Sequence, residues 1–153
     1  MAFVIPLEVE ATLPGFFITG VPPTASPQAV INEGPPEQGI WDRVIKNNQP
    51  WSVTFHYRVG GPVSDAMGPA KWSLNVHLLS LSGGQNKTIN QTVAYTQSQG
   101  DDNYDVPLSI SPGSVKDGLY KLNVSIEVQS TPAGSIIPVT LFGDGPMMKF
   151  YTP

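Results

Sequence analysis

Residues 51–59 alternate apolar and polar side chains almost without error, Trp51, Val53, Phe55, Tyr57 and Val59 against Ser52, Thr54, His56 and Arg58. A second run does the same, with Tyr120, Leu122, Val124, Ile126 and Val128 separated by Lys121, Asn123, Ser125 and Glu127. Successive side chains of a strand point to opposite faces, so this pattern predicts strands with one buried and one solvent face. The polar set falls to solvent in both. Trp72, Leu74, Val76 and Leu78 repeat the pattern, after which Leu79 and Leu81 slip out of phase and predict a bulge or bend.

Weaker strands are expected on either side. Residues 3–11 form one, placed at an edge or bulge by Pro6. Others are expected at 16–19, 29–31 and 41–46, at 89–95 on Ile89, Val93 and Tyr95, and at 106–110 on Val106, Leu108 and Ile110. The polar composition of 85–99 puts that strand near an edge. Residues 136–142 and 147–151 are expected as a closing pair around Gly143, Asp144 and Gly145. From 21 to 39 the chain carries five prolines and little periodicity, which predicts a long ordered loop or an arm over the sheet.

Many short strands punctuated by Gly and Pro describe a sandwich or barrel. The run Asp117-Gly118-Leu119-Tyr120-Lys121-Leu122-Asn123-Val124 resembles the G-x-Y-x-L-x-V segment that opens a late strand in bacterial immunoglobulin-like and fibronectin-type-III-like domains. That resemblance spans about the last two-thirds of the chain. It implies an all-β, antiparallel β-sandwich of immunoglobulin-like form, with Tyr120 in a corner contact with the preceding turn and Trp72 or Trp51 as the central core tryptophan. The chain departs from antibody domains in lacking both cysteines. The expected organisation is a single domain over 1–153, with N-terminal strands and a Pro-rich arm in 1–39 and the sandwich core in 40–153.

Composition agrees with one patterned core. A chain of 153 residues is long enough to bury roughly 70% of its unfolded surface. Charged residues are only 13% and the net charge is -4. The eight Lys and Arg are scattered, whereas phosphate neutralisation needs clustered cations, so nucleic-acid binding is not expected. The absence of Cys excludes disulfides and thiolate chemistry. The first residues show no basic, signal-like region, and no apolar run is long enough for a helical membrane span. The expected location is the cytoplasm, or export as part of an assembly.

Candidate chemistry is sparse. His56 and His77 lie on the polar sides of two strong strands which, if paired, would bring both imidazoles to one outer surface. Asp101, Asn103 and Asp105 have the alternate spacing that opens a calcium loop, but Val106 stands where such a loop needs Gly. Asn-x-Ser/Thr triplets begin at Asn86, Asn90 and Asn123 and read as features of a polar β surface. No nucleophile elbow is present. Trp41, outside the strong patterns, is the one candidate binding residue, suited to stacking on a sugar or anchoring a partner. The expected function is non-catalytic, with no cofactor and no metal. It is a structural or protein-interaction module that self-associates or meets a protein partner as a subunit of a larger assembly. The alternative is a carbohydrate-binding module using Trp41 and the neutral Asn/Gln surface.

Overall fold

The computed structural model describes residues 3–11, 16–21, 26–33, 44–60, 70–94, 102–130 and 136–152, and they hold strands but no helix. In chain order these are β1 (Phe3–Pro6), β2 (Glu8–Ala11), β3 (Phe17–Thr19), β4 (Gln28–Glu33), β5 (Val44–Lys46), β6 (Trp51–Gly60), β7 (Ala70–Ser80), β8 (Lys87–Ala94), β9 (Asp102–Ile110), β10 (Gly118–Ser130) and β11 (Ile136–Tyr151).

The first sheet is built round β6. β9 runs antiparallel along one of its edges, from Trp51↔Ile110 to Val59↔Asp102. β4 and β3 share the other edge, opposite residues 51–56 and 58–60, and β1 lies outside β4. The second sheet runs β8, β7, β10, β11, with β2 and β5 sharing the far edge of β11. Pairing is antiparallel throughout, except that β5 is parallel to β11.

The in-phase residues of β6, β7 and β10 meet between the sheets as one core. Trp72 is fully buried, with the Tyr57 ring edge-on at 5.0 Å and the Tyr104 ring edge-on at 5.6 Å, and Tyr57 stacks on Tyr104 at 4.8 Å. At the opposite end of β6, Trp51 packs on Phe150 at 5.4 Å and Tyr120 meets the same ring edge-on at 5.6 Å. Such pairs contribute about 0.5–1.5 kcal/mol each beyond the area they bury.

β1 and β2 are one crossing segment. Leu7, buried between them, donates its backbone N–H to Pro27, and the chain passes from the edge of the first sheet to the edge of the second. Both strands carrying the Pro6 region are thus edge strands, as the proline dictates. β4 extends the strand expected at 29–31, inside the Pro-rich stretch, and buries Ala29 and Ile31 completely.

Three expectations are corrected. Ser52 and Thr54, assigned to solvent, are 0% and 2% exposed: they are short side chains on a central strand, shadowed by neighbours at 30 and 32 on β4 and at 107 and 109 on β9. The slip at Leu79 is no bulge, since β7 pairs with β10 in unbroken register and Leu79 turns its side chain outward. Residues 136–151 are one strand rather than a closing pair, because β10 accompanies β11 along its whole length, with a bulge where Gly145 and Pro146 face Leu122. Gly143 and Gly145 serve close approach instead of a turn. A Cβ on Gly143 would lie 2.7 Å from Leu7 and 2.8 Å from Ile5, so the crossing segment rests directly on β11 there. Asn103 and Asp105 both lie on β9 with exposed side chains, and Asp101 lies outside the described residues.

Candidate functional site

Outward alternation on the second sheet assembles a surface whose order is fixed by register. One row across the strands is Thr88, His77, Asn123, Asp144; the next is Asn90, Asn75, Ser125, Phe142. These rows are polar because β7, β8 and β10 put amides and hydroxyls at their outward positions. Ser125 and Thr88 flank His77, whose Nε2 is 3.0 Å from Ser125 Oγ and whose Nδ1 is 3.3 Å from Thr88 Oγ1. Asn90 donates from Nδ2 to Asn75 Oδ1 at 2.7 Å and to Ser73 Oγ at 2.9 Å. The Asn123 amide, turned so that its nitrogen faces Asp144, donates to that carboxylate at 2.8 Å. Lys121 pairs with the same carboxylate at 3.1 Å and also donates to the Gly145 carbonyl.

A serine hydroxyl beside an imidazole begins a nucleophile–base arrangement. Here Ser125 is only 8% exposed and the third group is a neutral hydroxyl, so the three side chains form cross-strand hydrogen bonds on a sheet face. Chemically this half of the surface offers neutral donors and acceptors. Phe142, 38% exposed, stands at its border, where a groove of about 510 Å³ is lined by Pro6, Glu8, Glu10, Phe142 and Asp144.

The other half carries exposed apolar side chains. Leu79 and Met147 both lie opposite Lys121, and Leu119 is in the following row, where its carbonyl accepts from the Leu81 N–H. Leu79 is 41% exposed, Leu81 52%, Leu119 37% and Met147 57%. Lys121 stands between Leu79 and Met147 in the register, with its ammonium group drawn to Asp144, and Lys149 lies opposite Leu119, so the exposed apolar side chains fall in two adjacent rows bordered by lysine. At this end of the molecule a cleft of about 310 Å³ opens between residues 84–87 and 114–117, with Tyr120 in its wall.

The candidates read from sequence are not brought together. Trp41 lies outside the described residues. His56 is on the outer face of the first sheet, 2.5 Å from Asp105, and His77 is on the second, so the two imidazoles occupy opposite sides of the sandwich. β6 and β7 are neighbours in sequence but cross between sheets. Among the described residues no group of three His, Asp or Glu is placed to hold a metal ion, and no helix is long and apolar enough to cross a membrane. The apolar patch was missed as a site. Its signal was the out-of-phase pair Leu79 and Leu81, which marks exposed leucines at the end of β7 and just past it. A scan of family models finds no match to this chain, and a search of curated proteins finds none either.

Proposed function

We propose that this chain is a non-catalytic β-sandwich that works by protein–protein contact, as a subunit of a larger assembly. The observation that carries this reading is the apolar patch of Leu79, Leu81, Leu119 and Met147 on an otherwise polar sheet face. Single exposed leucines are ordinary; adjacent ones rimmed by polar residues are the surface that partners cover. An immunoglobulin-like assignment is supported by the order β4–β6–β9 in one sheet and β8–β7–β10–β11 in the other, and by Tyr120, whose hydroxyl donates to the Lys116 carbonyl at 2.9 Å. Such folds host many functions, so the surface carries the weight.

Light scattering on the full chain tests the reading. The expected mass exceeds the 16.4 kDa of one chain and falls when Leu81, Leu119 and Met147 are replaced together by Ser. A monomer at every concentration overturns self-assembly.

A second reading rests on Phe142 beside Ser125, Asn75 and Asn123. An exposed ring next to amides and hydroxyls suits a sugar face, and Phe142 takes the part expected of Trp41. Saturable binding on a glycan screen, lost in Phe142→Ala, favours this reading over assembly.

A further inference from the structure

A sheet edge exposes unpaired N–H and C=O groups, and folded proteins blunt such edges with proline, charge, bulges or brevity. Three edges here are blunted. β1 is four residues long and ends in Pro6; β9 contains Pro107 and Asp105; β2 carries Glu8 and Glu10, and β5 beside it has three residues. β8 has none of these devices. It has eight residues, no proline, and its single charge, Lys87, at the very start. Its pairing with β7 is unbroken from Lys71↔Ala94 to Leu78↔Lys87, and among the described residues no strand pairs with its other edge. Every residue of β8 is solvent-exposed except Ile89 and Val93, which are half-buried against the core.

We propose that β8 pairs antiparallel with β8 of a second copy of this chain, across a two-fold axis at Gln91, joining the two second sheets into one continuous sheet. The commitment to a second copy comes from self-complementarity, which an isologous interface requires. An axis at Gln91 sets Ile89 opposite the partner's Val93 on the core side, and Asn90 opposite the partner's Thr92 on the outer side. The Ile89–Val93 pairs are then apolar, the Asn90–Thr92 pairs can hydrogen-bond, Gln91 meets its own copy at the axis, and no like charges meet. An axis at Asn90 would instead oppose Ile89 to Gln91, and one at Thr92 would oppose Val93 to Gln91. Only the Gln91 register keeps the apolar side chains together, and a slip of one residue would reverse the faces. This rests on the reading of the chain as an interaction module and names one of its interfaces.

The chain has no cysteine, so a single introduced thiol reports pairing cleanly. Directly opposed residues of antiparallel strands have Cα atoms about 4.5–5.5 Å apart, within disulfide range. Under mild oxidation Gln91→Cys should give a covalent dimer, whereas Asn90→Cys, displaced from its own copy to about 7–8 Å, should not. By light scattering, Gln91→Lys and Gln91→Glu should each lose the dimer while still unfolding cooperatively, and an equimolar mixture of the two should recover it. An oligomer whose mass ignores both Gln91 charges, with no cross-link at 91, overturns the β8 interface and leaves the interaction reading standing on another surface. A wild-type chain that is monomeric at every concentration overturns this interface and self-assembly together.

Discussion

The Tyr120 hydroxyl donates to the carbonyl oxygen of Lys116, four residues earlier, at 2.9 Å. Tyr120 is 3% exposed, so its ring is held in the core while its tip closes the connection between β9 and β10. Removing the hydroxyl leaves the ring and its Phe150 contact intact. Tyr120→Phe should therefore cost about 0.5–1.5 kcal/mol, the net worth of one hydrogen bond. Urea denaturation reads this as a lower midpoint with an unchanged slope; a midpoint equal to wild type would show that the corner carries no stability.

Trp72 packs against rings from three separate parts of the chain, Phe16 just before β3, Tyr57 on β6 and Tyr104 on β9. Trp72→Ala should cost about 3–5 kcal/mol. That is a large part of the 5–15 kcal/mol typical of a domain. Calorimetry should find a strongly lowered melting temperature or no transition.

Gly143 and Gly145 give a graded test of close approach. A Cβ at 145 would lie 2.6 Å from the backbone oxygen of Leu122, which cannot step aside, whereas at 143 it meets side-chain methyls of Leu7, Ile5 and Val124 at 2.7–2.8 Å. Both alanine variants should be destabilised by about 1–3 kcal/mol, the usual range of overpacking. Gly145→Ala should be the worse of the two in parallel denaturation curves.

Asp117 accepts from Asn47 Nδ2 at 2.7 Å and from Thr152 Oγ1 at 2.6 Å, tying the turn after β5 to the end of β11. The Asn47 bond first, and then the Thr152 bond, hold its carboxyl below the ordinary value of 3.8. A depressed folded value means that the unfolded chain takes up the proton first, so the contribution is complete above 3.8 and is lost as pH falls through the folded value. Asp117→Asn should accordingly lose less stability than wild type when melts at pH 7 and in that acidic window are compared.

Residues 1–39 include β1 to β4, and Ile5, Leu7, Phe16, Ala29 and Ile31 among them belong to the core. Deleting 1–39 should abolish cooperative unfolding rather than release a folded monomer. Circular dichroism melts of the truncated chain check this, and a sharp transition would show that β5 to β11 fold alone.

The alternation in 51–59, 72–78 and 120–128 by itself determined the strong strands and the side chains they send to the core, because period two is a local property that each side chain reports without knowing its neighbours. Pro6 fixed edge placement for the same reason, through a missing donor. Which sheet a strand joins is a long-range matter, and only the tertiary structure decided it. It sent β6 and β7 to opposite layers and so parted His56 from His77; it ran β10 beside the whole of β11 and so turned two supposed turn glycines into contact points. The surface was legible least. Leu79 and Leu81 looked like a fault in a strand, and they became part of a patch only when pairing with β10 and β11 brought Leu119 and Met147 beside them, since exposure and adjacency belong to the sheet and not to the segment.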